Sequence, residues 1–529
     1  MKNHPKIQIV LITILALLLM VGASPVYAHP NPPKNKVPAP LEFSTRLLTS
    51  RLMSQGLAVM RGYVKLFTVD DCAYTIADMG QCYGNNPASP YVALAVPPWR
   101  DEFVDPATKN IVGLTQEGYN STYRLDPHEA IVILAKMPPP ARYFAEQSWI
   151  FTRQGTYDTS SSTYQMLNSI HSPLLKFFFG IVPGNPSRIQ QFASLSNTIN
   201  NVVIERQSGA SFGQYRYFII TPDKNMEKSL RKAFGSIGIQ NKNVFTEAIP
   251  SDMRLGLGET ADDFITLLRY TMPADGGGPG TASEAWLTDL PMVVLRVRDL
   301  RSFRPAQPYP PLVLETRIAV DERGLKPDQL ALEAAIAEKW GQPCAISDCS
   351  DKAQVAFDTQ SPPINMVGPL CLKIGMDCLG DNQDASYLGM GVFPLDSGQV
   401  YAVVGALGTR TGNAVYVGLS VNSSRFLKGV ANIKDTQLQD TADEYAGSVN
   451  NTDKLYTYYF TRDCSGLESL TGGNCFSIPE TMIPACADLT DPTCSFALFV
   501  QRDYIRPGTQ RGPDSALLLL PQVLKLQRP

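Results

Sequence analysis

Histidine is scarce in this sequence, and its scarcity limits the chemistry that the chain can support. Only four of the 529 residues are histidines, and none follows His171. No C-x-x-C motif is present either, although structural zinc sites are built from closely spaced Cys and His ligands. The sequence therefore disfavours a zinc site, and it offers few bases for a Ser/His hydrolase.

Clusters of basic residues are also missing. The chain has 46 Lys and Arg against 49 Asp and Glu, which gives a formal net charge of -3 at pH 7. Nucleic-acid-binding proteins owe much of their affinity to phosphate contacts, and these require a basic stripe or patch. We therefore expect no nucleic-acid partner.

Beyond the N-terminal leader, no stretch is apolar enough to cross a bilayer, which takes about 20 residues. In the leader, Lys2 and Lys6 precede an apolar segment at residues 7–23, and Ala28 occupies a small-residue position typical of signal peptidase sites. We interpret residues 1–28 as a cleaved signal peptide, with an uncleaved anchor as the alternative. This predicts an extracytoplasmic protein, periplasmic or secreted, that has no membrane span after cleavage.

Cysteine, by contrast, is plentiful and falls into neighbouring couples. An even number of cysteines in an exported chain indicates disulfides, each of which would constrain a short loop by about 2–3 kcal/mol. We predict pairing of nearest neighbours, with zinc thiolates as the alternative. The predicted pairs are Cys72–Cys82, Cys344–Cys349, Cys371–Cys378, Cys464–Cys475 and Cys486–Cys494.

Cleavage of the leader would expose His29 as the N-terminal residue, which raises the question of a copper site. Such a site needs a second imidazole, from His128 or His171, and a rigid support for its ligands. Residues 29–40 carry five prolines, which fix φ and remove backbone donors. We therefore predict a flexible, extended arm at residues 29–40 rather than a metal ligand.

The folded chain is expected to be α+β, multidomain and mostly antiparallel β. Residues 41–205 contain runs rich in β-branched and aromatic residues, which predict a mostly β domain. Residues 304–311, RPAQPYPP, read as a linker. Residues 312–529 predict a disulfide-rich β domain that includes an amphipathic helix ended by Gly341.

Residues 206–303 have the element order β-α-β-β-α-β, which predicts a ferredoxin-like domain. Its first helix is predicted to be capped by Thr221, with Pro222 in the first turn. Met226 and Leu230 recur there at helical spacing. Because this fold supports many unrelated activities, it does not indicate a function.

Three short motifs match functional signatures without the context that these signatures need. Ser211 lies in a G-x-S-x-G sequence, but the motif precedes a strand instead of following one. Residues 256–261, GLGETA, lack the strand that precedes a dinucleotide-binding turn. Residues 274–280, ADGGGPG, lack the Lys-Ser/Thr of a phosphate-binding loop. We therefore predict loops at these positions and no cofactor.

Residues 380–387, GDNQDASY, place three oxygen-bearing side chains close together. Asp381, Asn382 and Asp384 could contribute to a calcium site. The loop lacks the glycine and the distal glutamate of an EF-hand, and an Asx turn is the preferred interpretation. We therefore predict no metal here, with calcium as the alternative.

Residues 142–153, RYFAEQSWIFTR, are the strongest candidate for a binding strand. Side chains alternate along a strand, so Arg142 and Glu146 should face one way and Tyr143 and Trp149 the other. Mixed aromatic and ionic groups suit a polar organic ligand. The alternative is a two-sided sheet in which each charge finds a structural partner elsewhere.

These features lead to three functional hypotheses. The first is an exported, disulfide-stabilised protein that binds a small molecule or glycan through Arg142, Tyr143, Glu146 and Trp149. The second is a metal-independent hydrolase with paired carboxylates, and the third is a structural or surface-interaction protein. The candidate catalytic residues are Glu146, His171, Asp262, Asp263 and Asp381. The oligomeric state is left open.

Overall fold

The protein is described here from a computed structural model. The structure describes residues 35–529 apart from 171, 173, 302–304, 345–352, 362, 363, 365 and 487–493. The predicted signal peptide, His29, His171 and Cys349 lie outside the described residues. Within these ranges, no helix combines the length and the apolar character needed to cross a membrane.

The first eleven strands form one large sheet. They are β1 (Ala58–Phe67), β2 (Tyr91–Ala95), β3 (Glu129–Lys136), β4 (Ala141–Gln154), β5 (Ile181–Val182), β6 (Asn185–Ser194), β7 (Ile199–Asn200), β8 (Tyr215–Thr221), β9 (Val244–Ala248), β10 (Asp263–Pro273) and β11 (Met292–Arg298). Their order is β5-β6-β4-β10-β2-β1-β11-β3-β8-β9, with β7 paired to β4. Only β8 and β9 pair in parallel; the other neighbours are antiparallel.

Strand β1 joins the two halves of this sheet. Its residues 58–62 pair with β11, and its residues 63–67 pair with β2. Gly62 lies at the change of partner, where an added Cβ would come within 2.5 Å of the carbonyl oxygen of Ala95. A side chain at Gly62 would therefore prevent the close approach that connects the halves.

The strand pairing does not confirm a ferredoxin-like unit. The elements from β8 to β11 follow the predicted β-α-β-β-α-β order, but among these four strands only β8 and β9 pair with each other. Strand β10 lies between β4 and β2, and β11 lies between β1 and β3. The long strand β4, of 14 residues, offers β10 a more extensive partner than its sequence neighbours do. A boundary at residue 205 is likewise not confirmed.

Helices cover the sheets and connect the strands. In the described residues they are α1 (Ala39–Ser54), α2 (Cys72–Met79), α3 (Ser162–Ser169), α4 (Leu175–Phe178), α5 (Asn201–Ser208), α6 (Lys224–Ser236), α7 (Ala282–Asp289), α8 (Lys326–Lys339), α9 (Gly368–Ile374), α10 (Gly408–Thr411), α11 (Asp435–Leu438) and α12 (Glu468–Thr471). Helices α1 and α6 cover one face of β3, β8 and β11 and share a hydrophobic core with them. The mixed α and β content agrees with the predicted class.

Three of these helices, α6, α7 and α8, were predicted from the sequence. Met226 and Leu230 of α6 are buried as expected. The cap is Asp223, whose side chain accepts a hydrogen bond from the amide of Asn225, so the prediction of Thr221 as the cap was wrong. An acidic side chain at this position also interacts favourably with the helix dipole. Helix α8 ends at Lys339, two residues before Gly341, where the sequence predicts its end.

The C-terminal strands form two further sheets. These strands are β12 (Ala353–Val355), β13 (Phe357–Asp358), β14 (Ala385–Phe393), β15 (Gln399–Ala406), β16 (Tyr416–Ser423), β17 (Lys428–Lys434), β18 (Leu455–Thr461), β19 (Cys475–Ser477), β20 (Ala497–Tyr504) and β21 (Gln522–Gln527). One sheet has the order β12-β21-β15-β18-β19 and the other β13-β14-β20-β16-β17. Val403 of the first and Leu419 of the second share one core, so the sheets pack as a sandwich.

Disulfides connect the cysteines as nearest neighbours. The described pairs are Cys72–Cys82, Cys371–Cys378, Cys464–Cys475 and Cys486–Cys494. Their Cα–Cα distances of 5.6 to 6.0 Å lie within the normal range for disulfides. The predicted pairing is confirmed for these four, and Cys344 is also disulfide-bonded.

The described part of the predicted linker packs against α6. The amide of Gln307 donates to Asp223 Oδ1 at 2.8 Å, and the hydroxyl of Tyr309 donates to Glu227 Oε2 at 2.5 Å. Beyond it, Arg317 donates to the carbonyls of residues 382, 383 and 385, around the start of β14, and to the carbonyl of Pro513. This segment therefore ties the first sheet to the C-terminal sandwich.

Candidate functional site

The predicted binding strand is β4, which lies in the interior of the large sheet. Residues 143–152 are all buried, because β4 carries structure on both faces. The predicted alternation holds, since Phe144 belongs to the core on one side and Trp149 to the core on the other. Of the four predicted ligand residues, only Arg142 reaches the surface.

Arg142 is separated from the other three candidates by its position at the start of β4. Its side chain is 41% exposed and donates from Nη1 to Asp435 Oδ2. Beside it, Lys434 and Met272 line an open surface depression. Arg142 thus finds a structural partner on the C-terminal sandwich, which corresponds to the alternative interpretation of the strand.

Glu146 is completely buried on the opposite side of β4 from Trp149. Burial, followed by the neighbouring carboxylate of Glu247, raises the pKa of Glu146 well above its usual range. Glu247 itself accepts from the amide of Ser148 at 2.7 Å and from the hydroxyl of Ser196. Glu146 and Glu247 are paired carboxyls, but neither lines the cavities described below.

The other acidic candidates lie elsewhere and are paired with arginines. Asp262 binds the guanidinium of Arg153 through both oxygens, at 2.9 and 2.7 Å. Asp263 accepts from Arg124 Nε at 3.0 Å and from Thr152. These contacts do not bring Asp262 or Asp263 to Glu146, and the hydrolase hypothesis receives no assembled acid–base pair from them.

The loop before β14 carries Asp381, and protein donors occupy its carboxylate. Oδ1 accepts from the amide of Ser194 at 2.8 Å, and Oδ2 accepts from the amide of Gly368 at 2.9 Å. Gln383 and the Ser194 hydroxyl add two further bonds. These bonds fix the loop on β6 and α9, as a structural turn does.

Asp384, the other acidic residue of this loop, faces Tyr143 of β4. It accepts from the Tyr143 hydroxyl at 3.1 Å and from Asn200 Nδ2 at 3.3 Å. Asn382 instead approaches the hydroxyl of Tyr387. The three side chains therefore diverge, and no group of three or more His, Cys, Asp or Glu suited to a metal ion occurs among the described residues.

Two adjoining cavities lie where this loop meets the sandwich. The larger has a volume of about 90 Å³ and is lined mainly by apolar side chains. The smaller, of about 40 Å³, lies against the buried face of β4 and β10 and includes Trp149 and Arg269. Tyr83, Leu379 and Gly380 line both cavities, so these residues form the wall between them.

The shared wall contains two non-glycine residues in the left-handed backbone region. Tyr83 has a φ of 53° and Leu379 a φ of 51°, and Leu427 of the larger cavity has a φ of 45°. Such conformations cost on the order of 1–3 kcal/mol for bulky side chains and cluster at functional sites. The backbone of these three residues is therefore held by its surroundings.

Disulfides provide part of that support. Tyr83 directly follows Cys82, and Leu379 directly follows Cys378. The amide of Cys82 donates to the carbonyl of Phe426 at 2.7 Å, and the amide of Gly84 donates to the carbonyl of Leu427 at 2.6 Å. The two covalent loops and these bonds position the cavity wall.

Several buried polar atoms at the cavities have no hydrogen-bond partner among the described residues. They include Asn422 Oδ1 in the larger cavity, and Asn382 Oδ1 with Arg269 Nε and Nη1 in the smaller. Leaving a buried donor or acceptor unpaired costs about 1–3 kcal/mol. These atoms are candidates for contacts with water or a ligand.

Arg269 is the charged group of the smaller cavity. Its guanidinium lies over the rings of Tyr143 and Trp149, at 5.7 and 5.4 Å from their centroids. Asp384 Oδ1 is 4.0 Å from Nη1, an ion-pair distance that is too long for a hydrogen bond. Two of the four predicted ligand residues, Tyr143 and Trp149, thus contact the guanidinium of Arg269 in the smaller cavity.

Sequence reasoning placed Tyr143 and Trp149 near the site but missed Tyr83, Leu379 and Arg269. Two signals were available in the sequence. Tyr83 and Leu379 each follow a cysteine of a short disulfide loop, and Arg269 is the single charge inside the apolar run FITLLRYTM. A lone charge in a buried strand requires a partner, which makes it a candidate for function.

Comparisons with known proteins leave the function to be inferred from the site. No family model matches the chain, and no curated protein matches it. Among solved structures, the chain is similar to an uncharacterized protein from Burkholderia cenocepacia, with 9% sequence identity and a TM-score of 0.35. That similarity covers 92% of this chain and 87% of the other.

Proposed function

We propose that this protein is an exported binding protein that holds a small, mostly apolar organic molecule in the larger cavity. The observation that carries the proposal is the cavity wall, in which Tyr83 and Leu379 adopt left-handed conformations next to two disulfides. The disulfides are compatible with an exported protein. Strained residues that are fixed in this way are typical of sites organised before the ligand arrives.

The lining of the larger cavity favours an apolar ligand over a glycan. Phe177, Phe178, Leu498 and Val500 face the cavity, while its polar groups are few. Binding sites for small organic molecules are concave and mostly apolar, with a few polar atoms that set orientation. A sugar would need more polar partners than this lining supplies.

The volume sets the size of the molecule. An apolar cavity of about 150 Å³ in another protein stays dry and binds benzene or xenon. At about 90 Å³, the larger cavity suits a short alkyl chain or a small ring. The ligand, or the part of it that enters this cavity, therefore has only a few heavy atoms.

Benzene provides a direct test with the purified protein. We expect saturating benzene to raise the Tm by at least about 1 °C, because a ligand that binds only the folded state stabilises it. Val500→Phe should abolish this rise by filling the cavity. Val59→Phe, at a partly buried position of β1 outside the cavity, should keep it.

Circular dichroism would show that each variant is folded before its Tm is compared. Xenon, followed by ¹²⁹Xe NMR, gives a second measurement that needs no variant. The proposal is wrong if benzene shifts the Tm of the wild-type protein no more than it shifts that of Val500→Phe, and if xenon shows no bound signal.

A further inference from the structure

We propose that Arg269 in the smaller cavity binds a carboxylate, so that the ligand class is short-chain carboxylic acids with the apolar part in the larger cavity. This inference rests on the proposed function and names its ligand class. It follows from the hydrogen bonds, the charge pairing and the arrangement of the two cavities.

The hydrogen bonds of Arg269 are incomplete although the side chain is only 3% exposed. Nη2 donates to Gln147 Oε1 at 3.3 Å, while Nε and Nη1 have no hydrogen-bond partner among the described residues. A guanidinium has five N–H donors and no acceptor. The missing partners are therefore acceptors, and an acceptor of opposite charge gives the strongest bonds.

Arg317 shows that the same region can satisfy an arginine. Its two terminal nitrogens donate to four backbone carbonyls and to the hydroxyl of Ser386, at 2.8 to 3.4 Å. Asp384 interacts electrostatically with both Arg317 and Arg269. Arg269 thus differs from Arg317 in having two nitrogens without a hydrogen-bond partner and in lining a cavity.

Arg269 also lacks a hydrogen-bonded counter-ion. The carboxylate paired with it, Asp384, lies 4.0 Å from Nη1 and accepts instead from Tyr143. The charged residues that line the two cavities are Arg269, Arg502 and Asp381, and Asp381 is already bonded to Ser194 and Gly368. A bound carboxylate would supply the counter-ion that Arg269 lacks.

The surroundings of Arg269 suit a carboxylate in particular. Phe67, Trp149 and Phe192 line the smaller cavity, and their low polarity strengthens an ionic contact. A volume of about 40 Å³ exceeds the roughly 10–15 Å³ that one water needs by the same measure, and so leaves room for a group of about carboxylate size. A phosphate is larger and would require additional donors.

The two cavities adjoin each other, as the carboxylate and the apolar chain of one ligand require. Tyr83, Leu379 and Gly380 line both cavities, so a ligand with its carboxylate at Arg269 and its chain in the larger cavity would pass beside these three residues. Asn382 Oδ1 and Asn422 Oδ1 remain as acceptors. These acceptors suit ordered water or a hydroxyl substituent on the acid.

Isothermal titration of butanoate and butan-1-ol into the purified protein tests the inference. Both probes have the same carbon chain, so the ratio of their affinities isolates the carboxylate. We expect butanoate to bind at least ten times more tightly than butan-1-ol to the wild-type protein. In Arg269→Met the ratio should fall to about one.

Arg216→Met is the matched control, because Arg216 is also a buried arginine of the large sheet but lines neither cavity. Its ratio should equal that of the wild type. In addition, NMR of the arginine Nε–H groups in the wild-type protein should show one signal that shifts with butanoate and not with butan-1-ol. This measurement stands even if Arg269→Met does not fold.

The outcomes separate the two proposals. If butan-1-ol binds but butanoate has no advantage and shifts no arginine signal, the carboxylate inference is overturned while the apolar site stands. If the ratio in Arg269→Met equals the wild-type ratio, Arg269 is not the anion site. If neither probe binds and benzene has no effect, the proposed function itself fails.

Discussion

Two buried arginines of the large sheet, Arg296 on β11 and Arg269 on β10, have opposite environments. Every nitrogen of Arg296 has a hydrogen-bond partner. Nε donates to Glu129, and Nη1 donates to Glu102 and to the carbonyl of Pro97. Nη2 donates to the carbonyl of Arg124. Arg269 has one hydrogen bond. The same residue type thus closes the structure in one half of the sheet and leaves it open to a ligand in the other.

The local sequence explains the difference. The loop after β2 brings Trp99 over Arg296, at 5.5 Å from the ring centroid, and the Trp99 indole also donates to Glu129. Two glutamates, Glu102 and Glu129, bind the guanidinium of Arg296. Around Arg269, by contrast, the acids bind other donors, as Asp381 does with Ser194.

The largest expected effect is the loss of the closed network. Arg296→Met should destabilise the protein by about 3–5 kcal/mol, because Glu129 and Glu102 would remain buried without their cation. The free energy of unfolding from urea titration measures it. Arg323→Met is the control, since Arg323 pairs with Asp321 in solvent, and it should unfold at the wild-type urea concentration.

A small loss in Arg296→Met would contradict this account of the network. It would mean that the glutamates are hydrated or protonated once the arginine is gone. The comparison with Arg269 would then concern packing rather than charge.

The second effect separates disulfides that position the cavity from disulfides that do not. Cys72→Ala with Cys82→Ala, and Cys464→Ala with Cys475→Ala, open loops of similar sequence separation, 10 and 11 residues. Each double variant should lose about 2–3 kcal/mol of stability. Only the first pair adjoins Tyr83, so only the first should weaken benzene binding by at least tenfold.

Equal benzene affinity in the two double variants would show that the Cys72–Cys82 disulfide does not position the cavity wall. Urea titration and calorimetry on both variants provide the stability and the affinity. Each double variant serves as the control for the other.

The third effect is a smaller stability change at Arg269. Without ligand, Arg269→Met should cost only about 1–2 kcal/mol, because one hydrogen bond, two ring contacts and the 4.0 Å ion pair with Asp384 are lost. Asp384 would keep its donors Tyr143 and Asn200. Urea titration beside Arg296→Met measures the difference, and a loss as large as in that variant would contradict an open site at Arg269.

Local features of the fold could be predicted from the sequence, whereas the strand partners could not. The disulfides join cysteines 7 to 11 residues apart, and α6 follows from the spacing of its apolar residues. The pairing of β4 with β10 joins residues more than 100 positions apart. Single-sequence patterns carry no information on such long-range pairing, which is why the ferredoxin-like unit was predicted.

The candidate site was predictable only in part, for the same reason. Periodicity identified β4, and with it Trp149, as a strand with mixed faces. The cavity also needs Tyr83 and Leu379, from two loops that are distant in the sequence, and Arg269 from β10. Which loops meet is decided by the packing of the sandwich on the sheet, and no local motif reports it.

The last expected effect appears only as a change with pH and concerns the acid near the open site, Asp377, whose side chain accepts from the amide of Leu379 at 2.8 Å. Burial raises the pKa of Asp377 to about 8. A carboxyl with a raised folded-state pKa stabilises the protein fully below its unfolded pKa of about 4, and this contribution is lost as the pH rises through 8. Between pH 5 and 9 the wild type should therefore lose more stability than Asp377→Asn, which cannot ionise, by up to about 1.4 kcal/mol for each pH unit between the two pKa values. Other buried acids contribute equally to both proteins, so the difference between their urea titrations isolates Asp377. The exposed variant Asp321→Asn should follow the wild-type pH dependence, and an identical curve for Asp377→Asn would show that burial does not raise the pKa of Asp377.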